Sequence, residues 1–249
     1  MNQAHRIKQI PLSPSSQAGN LSESGVKVLA IDTAAAACSV AIWRSTAPLV
    51  SRFEVMERGH AERLVPMIAE VLDEAGLTAA ALDRLAVTVG PGAFTGLRVG
   101  LATARGLALA IGRPLLGLTT FEVIGHGLAP ELRAGRSVLV AVESRRSEVF
   151  LQRFTADLVA EGPPTLLTAE GCRAWLPAGP LLVAGCGAAA LREILGDRLD
   201  TVFVAGPGLP DAAVAARLAA GLDVGAGLPP RPLYLRPPDA MTVAQRAAQ

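Results

Sequence analysis

A chain of 249 residues, 51% hydrophobic but only 4% aromatic, has the length for one large α/β domain or two smaller ones built from tightly packed small residues. A formal net charge of +1 offers no electrostatic handle for nucleic acid or an anionic membrane. Three scattered cysteines (Cys38, Cys172, Cys186) lack disulfide or metal spacing and fit a reducing, cytoplasmic setting. The histidines His5, His60 and His126 form no HxxxH or HExxH, which excludes a local zinc motif.

Residues 1–25 are polar, rich in Ser, Gln and Asn, and read as a disordered tail without an apolar run of signal-peptide type. The first predicted strand, over 26–31, ends at Asp32-Thr33. A turn of alanines (34–37) leads into strands over 38–43 and 49–55. A strand, an Asp and a tight turn suit the phosphate-binding hairpin of actin-like and sugar-kinase ATPases, but Thr33 and four alanines stand where a phosphate turn needs glycine.

Apolar residues at Ala61, Leu64, Val65, Ile68, Val71, Leu72 and Ala75 predict a helix over 60–75, widened by Met67, interrupted at Pro66 and ended by Gly76. A short helical piece over 78–82 precedes a strand over 85–89. The chain then breaks on Gly90-Pro91-Gly92 and enters a long helix, with Thr95 as the expected N-cap and Gly112 as its end. Gly96, Gly100, Ala104 and Ala108 form one small-residue row along that helix. Mid-helix glycine costs about 1 kcal/mol against alanine, so the row predicts close backbone approach by another helix. Arg98 and Arg105 argue against a membrane span. A strand over 114–118 follows, then a helix capped by Thr119 and running to about Leu128, with Glu122 and His126 placed to pair at i, i+4.

The second half repeats the first in outline. Residues 138–144 (VLVAVES) mirror 28–33 (VLAIDT), each an apolar strand ending in an acid and a hydroxyl residue, about 110 positions apart. A strand over 148–154, short elements over 163–175 and a strand over 181–184 come next. The latter runs into Gly185-Cys186-Gly187 and a helix over 188–195, in the manner of an adenosine-binding turn. A strand over 202–205 and an alanine-rich helix capped by Asp211 precede a proline-stiffened segment, 229–240. The expected organisation is a tail (1–25) and two α/β lobes with mixed sheets flanked by helices, 26–129 and 130–249.

Four stretches together are distinctive: VLAIDTAAAACSVAIW (28–43), HAERLVPMIAEVLDEAGL (60–77), VTVGPGAFTGLRVGLATARGLALA (87–110) and PLYLRPPDA (232–240). They resemble the bacterial TsaB (YeaZ) family, strongly over 26–128 and at the C-terminal motif, and loosely in the second lobe. The resemblance implies two actin-like, ribonuclease H-like lobes and a non-catalytic scaffold in the synthesis of tRNA N6-threonylcarbamoyladenosine at position 37. Its partner TsaD carries the transferase site, with a metal held by HxxxH. Thr120-Phe121-Glu122-Val123-Ile124 stands at that place here and has neither ligand.

The resemblance further implies a heterodimer with TsaD, TsaE joining a ternary complex to use ATP, and a homodimer through the same face when the chain is alone. It implies tRNA reached only through the complex and no membrane. ATP or ADP belongs to the assembled complex, with none held tightly by this chain. The expected partner interface comprises His60, Leu64, Met67, Ile68 and Val71 on the first long helix, and Leu97, Arg98, Gly100, Leu101, Ala104 and Arg105 on the second. The competing reading is a nucleotide-hydrolysing enzyme of the same fold using Asp32 and Glu143 at matching strand ends. No Ser-His-Asp order or Cys-His pair supports a protease. The chain departs from the family pattern at 143–150 (ESRRSEVF), where Asp-Ala-Arg and Gly-Glu-Val-Tyr are usual, and at Met241 after Ala240.

Overall fold

The computed structural model describes residues 25–144, 146–206 and 208–236. The expected tail before Gly25, Arg145 of the second-lobe turn and the chain from Pro237 onward, Met241 included, lie outside the described residues.

Two five-stranded sheets share one topology. The first contains β1 (Lys27–Asp32), β2 (Ala37–Arg44), β3 (Ala47–Val55), β4 (Arg84–Gly90) and β5 (Leu115–Thr119), in the order β3-β2-β1-β4-β5. β2 is antiparallel to both neighbours, while β1, β4 and β5 run parallel. The second contains β6 (Ser137–Glu143), β7 (Glu148–Phe154), β8 (Thr165–Thr168), β9 (Leu181–Ala184) and β10 (Thr201–Phe203), in the order β10-β9-β6-β7-β8. Its pairings are those of the first, with β6 in the place of β1. The weak sequence echo between 28–33 and 138–144 is therefore a structural repeat, and the fold is the expected pair of actin-like, ribonuclease H-like lobes.

Alternation along the strands gives each sheet two apolar faces. On one face of the first sheet, Leu29, Ile31, Val40 and Ile42 pack under α1 (His60–Glu74) and α2 (Phe94–Ile111). On the other, Val28, Ala30, Ala41 and Ala86 meet Ala212, Ala215, Ala216 and Ala219 of α7 (Ala212–Gly221). Alanine against alanine lets that helix lie close to the strands. The second sheet is covered on one face by α5 (Ala169–Trp175) and α6 (Ala188–Leu195) through Cys172, Leu191 and Leu195. On its other face Val138, Val140 and Val142 pack against Phe121 and Ile124 of α3 (Thr120–His126). A short α4 (Pro130–Arg133) links α3 to β6.

The strands divide between 119 and 137, around the expected boundary at 129/130, but two helices cross it. α7 comes from the second half and covers the first sheet; α3 comes from the first half and covers the second.

Local chemistry fixes the helix ends. Thr119 accepts from Glu122 N at 3.0 Å while Glu122 Oε2 accepts from Thr119 N at 2.7 Å, a capping box that starts α3. This occupies Glu122, so the expected pairing with His126 gives way to the cap. Asp211 caps α7 as expected, accepting from Ala213 N at 2.8 Å. Thr95 does not cap α2. That helix begins at Phe94, one residue before it, and the N-cap is Ala93, whose N–H is held by the Ala34 carbonyl at 2.7 Å.

Candidate functional site

In an actin-like lobe the first place to seek chemistry is the turn after β1. Here it is closed. Gly92 and Gly96 lie so near the Ala34 and Thr33 carbonyls that a Cβ on either would collide with those oxygens. A Cβ on Gly100 would meet the Thr33 hydroxyl, which itself donates to the Gly96 carbonyl at 2.7 Å. The small-residue row of α2 therefore receives the β1–β2 turn of its own lobe.

Asp32, at the end of β1, is fully buried. Its carboxylate accepts from the Thr88 hydroxyl and, at 3.4 Å, from Ala34 N. Burial pushes its pKa up to about 7, against the two hydrogen bonds, with the nearby Asp211 charge adding a small push in the same direction. Glu143, at the equivalent end of β6, is exposed. The two acids thus do not share an open site, although both bear on Cys186, whose thiol burial and Glu143 push upward and whose Sγ accepts from Glu143 N at 3.5 Å. In the second lobe the Gly185 turn is approached by Gly208, on which a Cβ would lie only 2.7 Å from the Gly185 Cα. A cavity of about 340 Å³ lies beside it, lined by Val123, Ile124, Leu128, Val204 and Val214 with Asp211 as its charged group. Among the described residues no three His, Cys, Asp or Glu side chains gather as metal ligands.

The other candidate surface is the outer side of α1 and α2. Leu64, Met67, Ile68 and Val71 of α1, and Leu97, Gly100, Leu101 and Ala104 of α2, are buried within their own lobe. The expected interface must be corrected at these eight positions, because side chains that form the core have no surface left for a partner. His60 is half-buried, with its Nε2 enclosed and unpartnered. Arg98 and Arg105 do face outward.

Beside them the exposed residues are Ala61, Val65 and Ala69 of α1, and Phe94, Ala102, Gly106 and Leu109 of α2. Val65 is 59% exposed and Leu109 85%. Ala61 and Val65 belong to the apolar stripe that predicts α1, and the structure leaves them exposed while burying Met67 at the edge of that stripe. By length and composition α2 is apolar enough to cross a membrane, yet its other side packs on the sheet. Along the α1 edge Arg63 donates to both Glu54 and Glu70, holding each carboxyl below its usual range, so Glu70 is already engaged.

Fold and site together define a two-lobed α/β protein whose turn after β1 is packed by its own backbone and whose two long helices keep an apolar outer face. Comparison with known proteins narrows this class. A family model described as TsaD: tRNA N6-adenosine threonylcarbamoyltransferase matches residues 54–162. The tRNA threonylcarbamoyladenosine biosynthesis protein TsaB of Escherichia coli is 37% identical over 132 residues, 53% of this chain and 56% of that protein. An uncharacterised Mycobacterium tuberculosis protein is 36% identical over 220 residues, covering 87% of this chain and 95% of its own. YeaZ from Pseudomonas aeruginosa is 30% identical and superposes with a TM-score of 0.71 over 84% of this chain and 100% of that one. The chain belongs to the TsaB (YeaZ) family. Its alignment with the Escherichia coli protein spans little more than half the length of that relative.

Proposed function

We propose that this chain serves tRNA threonylcarbamoyladenosine synthesis as a non-catalytic cytoplasmic subunit, presenting the outer face of α1 and α2 to a TsaD homologue. One observation carries this reading: the turn where an active relative would bind phosphate is packed with the chain's own glycine loop, while Val65, Ala102, Gly106 and Leu109 stay uncovered on adjacent helices. A helix pair with small and apolar outward residues suits a second helix pair, giving a four-helix contact. The same face would pair two copies when the partner is absent, with TsaE, nucleotide and tRNA joining only at the assembled complex.

The test is Leu109→Glu in the full chain, titrated calorimetrically against the TsaD homologue of the same organism. A charge on this exposed apolar position of the contact should weaken binding at least tenfold, the loss typical of a contact residue that matters. Undiminished affinity would refute the docking face. Mg-ATP binding by the isolated chain, abolished by Asp32→Asn, would instead favour the nucleotide-hydrolysing alternative.

A further inference from the structure

The chain has a single tyrosine, Tyr234, and it is half-exposed although few aromatics are available to fill the cores. Its neighbours are not exposed in the same way. The segment 228–236 runs as a strap. Leu228 exchanges two backbone hydrogen bonds with Gly117 on β5, each 2.9 Å, and Leu233 N donates to Val89 O at 2.8 Å. The Leu233 side chain packs on the first core and Leu235 on the second-lobe core. Arg236 then bonds Glu148 at the start of β7, Nη2 to Oε2 at 2.7 Å. Extended backbone sends alternate side chains to opposite sides, so Tyr234 points away from the cores that hold its neighbours.

It lands on α2. The Tyr234 ring stacks on Phe94, itself 55% exposed, with centroids 5.7 Å apart. The Arg98 guanidinium lies 3.7 Å from the Phe94 centroid, and its Nε donates to the Tyr234 hydroxyl at 3.3 Å. Two rings and a guanidinium are thus set in one arrangement before any partner arrives, which reduces the ordering cost of binding; Tyr and Arg are the residue types that dominate contact energies. The cluster is continuous with the outer face of α2. Arg98, Arg105 and Arg113 are exposed on α2 and just after it, and no carboxylate stands in the sequence between Asp83 and Glu122, so the face is complementary to a partner's negative charge.

We propose that Tyr234, with Phe94 and Arg98, is a second docking patch for the TsaD homologue, taking a partner segment that sets a carboxylate beside apolar surface, and that the second lobe positions it through Arg236 and Glu148. This rests on the proposed docking of α1 and α2. The test compares variants of the full chain by calorimetry against that homologue, with thermal unfolding as the check on folding. Tyr234→Ala should bind about tenfold more weakly or worse at unchanged melting temperature. Arg236→Glu should bind more weakly than the parent, and Arg236→Glu with Glu148→Arg should recover most of the affinity.

Wild-type affinity in Tyr234→Ala overturns the inference. If Leu109→Glu still weakens binding in that event, the docking face survives; if it does not, both fail. A Tyr234→Ala variant that loses self-association but keeps its affinity for the TsaD homologue assigns the patch to a second copy and also overturns the inference. Failure of the charge swap to restore binding overturns the positioning role of the second lobe.

Discussion

Two glycines of α2, six residues apart, have opposite duties. A Cβ on Gly100 meets the Thr33 hydroxyl, whereas one on Gly106 meets nothing within 4 Å. Alanine at Gly106 should therefore stabilise the free chain by about 0.5–1 kcal/mol, the usual helix gain. Alanine at Gly100 gains the same propensity but must displace a buried, hydrogen-bonded side chain. Overpacking costs about 1–3 kcal/mol, so the net change should be a loss. Urea unfolding of the two variants checks the opposite signs. Asp32 provides a titration at the same scale. Its folded pKa of about 7 lies above the ordinary 3.8, so between those values the folded chain holds a proton that the unfolded chain has released. Stability from this group is complete below the lower value and is lost as pH rises through the upper one. Asp32→Asn, with no charge to bury, should match the parent near pH 4 and exceed it increasingly up to pH 7, then hold constant. At about 1.4 kcal/mol per unit the gap is several kcal/mol at most. His126 works the other way, since burial and Arg133 lower its pKa to about 4 and its contribution is lost on acidification. The difference between variant and parent isolates Asp32, and a difference that does not vary with pH would refute the assignment.

At the scale of elements, α3 is held by its first turn. Thr119 satisfies the Glu122 backbone, and Glu122, whose carboxyl burial pushes upward, has its hydrogen bonds to Thr119 N and Oγ1. Thr119→Ala should lose about 1–2 kcal/mol of stability by denaturant unfolding, with Thr119→Ser close to the parent. This cap was legible in the sequence because it is local: a Thr followed three residues on by Glu before an apolar run. The Asp211 cap was legible for the same reason, and so were most strands, whose apolar runs are bounded by turn residues. Thr95 misled because the start of α2 is set from outside, by the Ala34 carbonyl holding Ala93. The small-residue row on α2 led to the expectation of a close-packed helix, whereas a turn fills that place. Composition does not say which neighbour approaches, and the neighbour is the Thr33 turn of the same lobe rather than another molecule. Likewise the apolar stripe of α1 announced a buried face but not its centre: Val65, part of the stripe, is exposed, and Met67, at its edge, is buried. Asp32 followed a similar course, since a strand-end acid reads alike whether the turn beside it is open or filled.

For the whole molecule the exchange of helices between halves has a testable consequence. In the alanine-rich stretch 212–221 nearly every position is small and apolar, so no face stands out and nothing local marks α7 as serving the other half. Removing α7 uncovers Val28, Ala30, Ala41, Ala86, Leu116 and Leu118, one entire face of the first sheet. Polar contacts are lost with it, since Ala212 N donates to Ser39 Oγ at 3.0 Å and Arg84 Nη1 donates to Ala219 O at 3.1 Å. A fragment of residues 26–129 would also leave Phe121 and Ile124 of α3 without the second-sheet core they fill. Its one remaining packed face is the α1 and α2 side, too little against the ordering entropy of about 100 residues. Such a fragment should lack dispersed amide resonances and a cooperative thermal transition, and should recover both when mixed with residues 130–249. The intact chain should unfold in one step, because neither sheet is covered without the other half. A fragment 26–129 that melts cooperatively by itself would mean that α7 is an accessory to the first lobe, and its alanine-lined contact with β1 and β4 would then be dispensable for folding.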